Sequence, residues 1–434
     1  MKADVRAIKT PAEQALSAAF AAALSEMPGR GPIGSLREEA FRCFDASGLP
    51  HRRIEEWKYT DLRTLMREAK PLAGPVKSKG SVPSLPGVEA TRVAIVNGRY
   101  EPGWSDLTST DPGIALSELF TFLEDQTTYR DGEIPGKDDT AFWLNTAFMT
   151  GGVVLRVKRE ARDKRPIHLA HVFVGDAGAA MYPRSIVIVE PGAQLTLIES
   201  FAGPADVDYQ VNSALELVIG EGAQVDHIRI GHDGNSALRI STLGVSVGTK
   251  AIYRDFVLTV GGGLVRNQTF TRFGGEHTEA TIGGATLIKG RQHVDNTLVI
   301  EHTAGGCTSR ERFRSVLDGE SHGVFQGKIV VGPHAQKTDA KMASHALLLS
   351  DEAEADNKPE LEIFADDVQC GHGATAGALD GALKFYLMSR GIPETQAEAL
   401  LIQAFIGEAI EDVADERIRD ALMGEAISWL EARA

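Results

Sequence analysis

Ile188-Val189-Glu190-Pro191-Gly192-Ala193-Gln194 is answered thirty residues later by Val218-Ile219-Gly220-Glu221-Gly222-Ala223-Gln224. Each stretch closes a β-branched run, turns at a glycine and reopens with Ala-Gln, which reads as strand, tight turn, strand. Outward from this pair the same texture extends in both directions. Residues 151–340 hold 26 of the chain's 45 glycines. Between them lie short apolar runs such as Gly152-Val153-Val154-Leu155, Leu215-Glu216-Leu217-Val218-Ile219 and Val245-Ser246-Val247. Further turns are expected at Val247-Gly248-Thr249, Gly274-Gly275-Glu276, Gly283-Gly284-Ala285 and Ala304-Gly305-Gly306. No helical stripe interrupts them, so the body is mainly β. Stacked coils explain both the repeat and the low aromatic content of 6%, because a narrow interior holds few large rings. A β-sandwich also alternates strands and turns, and periodicity leaves both architectures open.

The ends differ from the middle. Thr10-Pro11-Ala12-Glu13 has the Thr and Glu of a capping box with Pro at the first helical position. Leu16, Phe20 and Leu24 then form one stripe, so the segment behind Lys2, Arg6 and Lys9 reads as a soluble helix, not a secretory signal. A second capping box, Ser35-Leu36-Arg37-Glu38, predicts a helix that stops near Gly48, and Arg53 to Leu62 opens a third helical stretch. Residues 71–87 carry four Pro and three Gly, an extended connection. From Pro393 onward, Leu400, Leu401, Ala404 and Phe405, then Ile418, Leu422, Ala426 and Trp429, recur at helical spacing. This closing hairpin is acidic. Its pattern fits a solvated cover over the core and also a docking site for a partner protein. The expected organisation is a helical region over 1–70, a linker over 71–90, a β core over 91–375 and a C-terminal helical region over 376–434.

Across 434 residues, 45 Lys+Arg face 60 Asp+Glu, a net charge of −15. That balance argues against nucleic-acid binding, which needs clustered cations to displace counterions. Cys43, Cys307 and Cys370 are too few and too scattered for a disulfide framework, which suits a reducing, cytoplasmic setting. No window approaches the roughly 18 apolar residues of a membrane span.

The densest chemical segment is Asp366-Asp367-Val368-Gln369-Cys370-Gly371-His372-Gly373-Ala374-Thr375. On a strand Cys370 and His372 project to one face and can meet a single soft metal or a sulfur species. A thiolate beside an imidazole would have a lowered pKa. Two ligands leave a metal site incomplete, so others must come from another coil or another chain; the plainer reading is a structural Cys and a capping His. His293-Val294-Asp295 reads more simply as a cross-strand polar pair than as a catalytic or cation site. Gly323-Val324-Phe325-Gln326-Gly327-Lys328-Ile329 misses a phosphate loop by one residue, and Ile329 replaces the magnesium-binding hydroxyl, so no ATP chemistry is expected of this chain. Gly371-x-Gly373-x-x-x-Gly377 has one residue too many for the dinucleotide fingerprint, and no βαβ pattern surrounds it.

These residues resemble the SufB/SufD family of the SUF iron–sulfur cluster assembly system. The resemblance rests on His293-Val294-Asp295, Cys307-Thr308-Ser309-Arg310-Glu311, Val324 to Ile329, Lys337-Thr338-Asp339, Pro359 to Ile363, Asp366 to Thr375, and Phe385-Tyr386-Leu387-Met388-Ser389-Arg390-Gly391-Ile392, in that order. Glu55-Glu56-Trp57-Lys58-Tyr59-Thr60-Asp61-Leu62 adds a weaker match near the start. His372-Gly373-Ala374-Thr375 is similar to the SufD branch, since SufB has Glu at the place of Gly373. The resemblance implies a right-handed parallel β-helix flanked by N- and C-terminal helices. It also implies a non-catalytic scaffold that pairs with SufB and binds the ATPase SufC through its C-terminal helices, or forms a homodimer when isolated. By position His372 becomes a ligand to a nascent iron–sulfur cluster shared with SufB, with Cys370 the next candidate. Such a cluster, or iron, would be transient at the interface and not firmly held by the isolated chain. Cys307 is expected to be a buried structural thiol. The competing class is a β-helical carbohydrate lyase or hydrolase using Asp366 and Asp367; it predicts secretion and an aromatic groove, which the capped first helix and the few aromatics oppose. A β-helical acyltransferase with His372 as base would show a hexapeptide repeat, which is not found.

Overall fold

The computed structural model describes residues 9–29, 31–77, 79–107, 111–125, 136–162 and 165–433. Helix α1 (Pro11–Ala23) begins with the expected reciprocal cap: Thr10 Oγ1 accepts from the Glu13 amide and the Glu13 carboxylate accepts from the Thr10 amide. Lys2 and Arg6 lie outside the described residues. Helix α2 (Pro32–Ser47) starts four residues earlier than the Ser35 box proposes, after Gly31, and no side chain caps it. The reason is its inner face. Ile33, Arg37, Ala40 and Phe44 are buried at helical spacing, and that stripe needs the turn before Ser35. Gly48 ends the helix at a φ of 73°, as expected. The stretch after Arg53 is not one helix but a 3₁₀ turn at Glu55–Trp57 and a short α3 (Leu62–Leu65) capped by Asp61.

The strands β1 (Thr91–Val96), β2 (Arg99–Tyr100) and β3 (Ile114–Glu118) precede two helices absent from the sequence reading, α4 (Leu119–Asp125) and α5 (Thr140–Phe148). A continuous winding follows through β4 (Val153–Val157), β5 (Ile167–Val172), β6 (Ala180–Met181), β7 (Arg184–Val189), β8 (Gln194–Ala202), β9 (Gln210–Ile219) and β10 (Gln224–His232). It continues with β11 (Leu238–Val247), β12 (Ile252–Thr259), β13 (Leu264–Phe273), β14 (Glu279–Ile288) and β15 (His293–His302). The final coils are β16 (Thr308–Leu317), β17 (His322–Val331), β18 (Asp339–Leu348), β19 (Glu354–Ile363) and β20 (Gln369–Gly377). Odd strands from β7 to β19 pair in parallel into one sheet, and even strands from β8 to β20 form the facing sheet. The architecture is therefore a parallel β-solenoid, not a sandwich.

The quoted repeat is one coil of this solenoid. Ile188 pairs with Val218, Gln194 pairs with Gln224, and Gly192 and Gly222 turn at φ of 72° and 64°. Residues 210, 238, 264, 293, 322 and 354 stand in one column, so successive coils advance by 28, 26, 29, 29 and 32 residues. Gly283-Gly284-Ala285 is not a turn; it lies inside β14. A side chain at Gly284 would meet Phe313 and Val257 at 2.8 Å, so glycine there makes room for an interior ring.

Leu195, Leu217, Val245, Tyr253, Ile282, Ile300 and Ile329 fill the space between the sheets. Polar pairs are sealed in with them: His171 bonds Glu199 at 3.0 Å, and Asn267 donates to Asn296 at 2.9 Å. The two ends differ. At the first, the sheets finish on the antiparallel strands β2 and β3. At the other, β19 and β20 have no further strand beside them among the described residues. Pro359 in β19 fits this edge position, where a missing amide costs no ladder bond.

Three helices complete the chain: α6 (Gly381–Ser389), α7 (Glu394–Ile410) and α8 (Glu416–Glu431). The last two pack on the outer face of the even sheet, against Ile228, Ile230, Phe256, Leu258, Leu287 and Val316. In α8 the expected stripe Ile418, Leu422, Ala426, Trp429 is buried. In α7 the buried face is instead Ala397, Ile402, Ile406, Ala409 and Ile410, and Leu400 faces solvent. Part of the acidic charge is spent on the molecule itself, since Glu408 pairs with Arg314 and Asp412 with Arg312.

Candidate functional site

Cys370 and His372 lie on β20, the last strand of the winding. Cys370 stands beside Ala340 and His372 beside Met342 of β18, and both of those side chains belong to the solenoid interior. Cys370 packs against that interior too, so strand alternation turns His372 to the same side. Among the described residues no coil lies beyond β20, and the inward face is therefore left open on that side. Cys370 is half-buried and His372 is exposed. Together with Lys341, Met342, Gln369 and Gly371 they line a shallow open depression.

Behind this depression the columns run Ser309–Ala340–Cys370 and Glu311–Met342–His372. Glu311 is fully buried, and burial pushes its pKa up to about 8, opposed in part by the neighbouring Ser309 hydroxyl. Neither Glu311 oxygen completes a well-formed hydrogen bond. His302 bonds the same Ser309 at 3.1 Å, and burial lowers its pKa to about 4, so both groups are neutral at pH 7. Burial also raises the Cys370 thiol, with Asp339 and Glu311 adding to it. The expected lowering is thus overturned: desolvation and the nearby acids outweigh the one opposing influence, the Ala340 backbone. Among the described residues no group of three or more His, Cys, Asp or Glu is placed to hold a metal. The terminal coil offers an incomplete donor set.

The other quoted motifs gather elsewhere. His293, Asp295, Gln326 and the Glu55–Thr60 stretch meet on the outer face of the odd sheet. Arg266 pairs with Asp295, both fully buried, and stacks 3.9 Å from the Trp57 ring centre. Thr60 donates to Asp295 and bonds His293 at 2.9 Å, while Gln326 and Arg266 donate to the Glu56 carbonyl at 3.1 and 2.7 Å. This is a clamp that fixes the N-terminal helices to the solenoid, the polar-pair reading extended to a third partner. Cys307 is wholly buried, its thiol 3.3 Å from the Gly275 carbonyl and raised by burial, as a structural thiol should be. Gly323 to Lys328 lies within β17 and Gly371 to Gly377 within β20, so neither forms a phosphate loop. Asp366 and Asp367 sit exposed in the turn before β20, and Asp367 pairs with Lys337.

Two features went unread in the sequence. Met342 and Glu311 face inward by the same two-residue alternation that starts at Cys307, a signal present in Cys307-x-Ser309-x-Glu311. The other is an exposed apolar surface: of the ten exposed large hydrophobic side chains among the described residues, seven fall between Ile363 and Leu400, with Phe385 at 73% and Phe364 at 63%. No described helix is long and apolar enough to cross a membrane.

Residues 172–405 match the model of the SUF system FeS cluster assembly SufBD core domain, and residues 29–169 match the SufBD protein N-terminal region. An iron–sulfur cluster assembly SufBD family protein of Synechocystis is 33% identical over 394 residues, 87% of this chain and 86% of the relative. The iron–sulfur cluster assembly protein SufD of Escherichia coli is 30% identical over 383 residues, 87% of this chain and 88% of that one. SufD of Bacillus subtilis is 22% identical over 384 residues, 86% of this chain and 87% of its own length. A β-solenoid of this extent, matched from end to end and carrying Cys370 and His372 on its last strand, belongs to the SufBD family of iron–sulfur cluster assembly proteins.

Proposed function

We propose that this chain acts as a SufD-type scaffold subunit that pairs with SufB through its open solenoid end and supplies His372 to a nascent iron–sulfur cluster at the joint. The observation that carries this reading is the exposed imidazole on a final strand with one free edge, with too few donors among the described residues nearby to complete a site. A thiolate or carboxylate from the facing chain would finish the coordination, and Cys370 stands ready as a further sulfur donor. The cluster is cargo here, assembled and passed on. The chain does no covalent chemistry of its own, and the ATP-driven step belongs to SufC.

SufC docks, in this proposal, on the C-terminal helical region 376–434, at the exposed apolar face of α6. Leu383, Phe385 and Tyr386 are open to solvent there, as an interface core requires. Because α7 and α8 cover the even sheet, truncation would expose the core, and a point change on α6 is the cleaner test. The experiment is anaerobic co-purification with SufB and SufC. His372→Ala is expected to yield an intact complex whose iron and sulfide content falls; unchanged content sinks the ligand role. Phe385→Asp is expected to lose the ATPase while keeping SufB, and retention of the ATPase contradicts the docking face.

A further inference from the structure

We propose that the cleft between the linker and the first strands of the even sheet binds a phosphate group through Arg92 and Arg165. Its floor is one row of side chains, Arg92 of β1, His168 of β5 and Ile198 of β8, set side by side by strand register. They alternate with Val93, Leu169 and Leu197 of the interior and so face outward. Leu85 and Val88 of the linker form the opposite wall and share an apolar cluster with Ile198. Arg165, just before β5, lines the same space. The cleft lies at the far end of the even sheet from β20, so this inference does not rest on the proposed cluster role.

The positive charge in this cleft is incompletely answered. A guanidinium carries five N–H donors, and that of Arg92 makes one side-chain contact among the described residues, to Asp106 at 3.4 Å. Glu89, the other acid on the rim, is exposed and lies in the field of Arg417. His168 is buried and shares a hydrogen bond of 2.7 Å with Ser200. Burial first, then the charge of Arg92, holds its pKa down at about 4, so the imidazole is neutral at pH 7. Arg92 therefore acts on the floor of the cleft as a cation despite Asp106. A half-buried guanidinium with spare donors suits a compact oxyanion that accepts several bonds at once, and two of them match the double charge of a phosphate monoester. Leu85, Val88 and Ile198 offer an apolar surface to the organic part of such an ester, the mixture of apolar walls and convergent polar groups common to small-molecule sites.

The test is calorimetric titration of the full chain with inorganic phosphate and, separately, with phenyl phosphate, at constant ionic strength so that screening does not change. Saturable binding of one anion per chain is expected. Arg92→Gln and Arg165→Gln, each checked for folding by circular dichroism, are expected to weaken it by roughly tenfold or more, the loss of a charged hydrogen-bond partner. Arg291→Gln removes an exposed arginine from another coil and is expected to change nothing. Tighter binding of phenyl phosphate supports the site with an organic ester as its ligand, and equal binding supports it with the free ion. In proton spectra the His168 ring signals are expected to shift as the anion fills the cleft. No saturable binding, wild-type affinity in the folded Arg92→Gln and Arg165→Gln chains, an equal loss in Arg291→Gln, or unmoved His168 signals overturns the site.

Discussion

Glu311 occupies a place where a carboxylate is poorly solvated, and its pKa of about 8 reports the consequence. The folded chain holds this proton where the unfolded chain, with an ordinary glutamate near 4.3, has released it. Stability from this group is therefore fully present below that value and is lost as pH rises through about 8. Glu311→Gln keeps the shape and cannot ionise. Its unfolding free energy in urea titrations is expected to match the parent near pH 4 and to exceed it increasingly up to pH 8, by on the order of 3 kcal/mol at pH 7. Parallel curves across that range would show that the carboxyl is not desolvated. Residue by residue, the sequence made Cys370 and His372 legible because their spacing and neighbours are unusual. Met342 was not legible, for a methionine in an alternating run is ordinary core until its column is known to end at an open depression. The thiol's pKa was misjudged because burial and the neighbouring acids come from other coils.

Helix α7 shows why element-level pattern can mislead. Its central turns carry Leu400, Leu401, Ile402, Phe405 and Ile406, so several faces are apolar and the 3.6-residue period alone does not choose among them. The choice is made by the outer face of the even sheet, which takes Ile402 and Ile406. In α8 polar residues separate the apolar ones, and the sequence stripe is the buried stripe. Ile406→Ala is expected to cost about 2–5 kcal/mol by the cavity it leaves, whereas Leu400→Ala should stay within about 0.5 kcal/mol. Denaturation midpoints for the two variants measure this directly, and equal costs would mean that the helix is rotated from the face described. The start of α2 follows the same logic, with Ile33 and Arg37 buried ahead of a capping motif that is never used.

For the whole molecule, the solenoid was legible in the thirty-residue repeat and the glycine turns, but only faintly, since coils of 26 to 32 residues defeat a fixed period. Its two unequal ends were not legible at all. Strand length and pairing partners depend on where the winding stops, which no local pattern records. The free edge of β20 leaves backbone groups unpaired, the usual route to strand-to-strand association. Gly373 lies on that edge with no atom within 4 Å of where a side chain would begin, so Gly373→Lys should fold normally and block pairing. Light scattering on the co-expressed chains is expected to show separate monomers for the variant and a dimer for the parent; a dimer that survives would move the joint elsewhere.

The short antiparallel strands at the opposite end then acquire a meaning beyond capping. β2 is two residues long and offers little for another polypeptide to add to. Were two such molecules to meet at their free edges, both outward termini would be blind, and growth would have nowhere to continue. Sheets that end in this way would hold such an assembly to a pair and avoid the filament that an unblocked ladder would seed at high concentration.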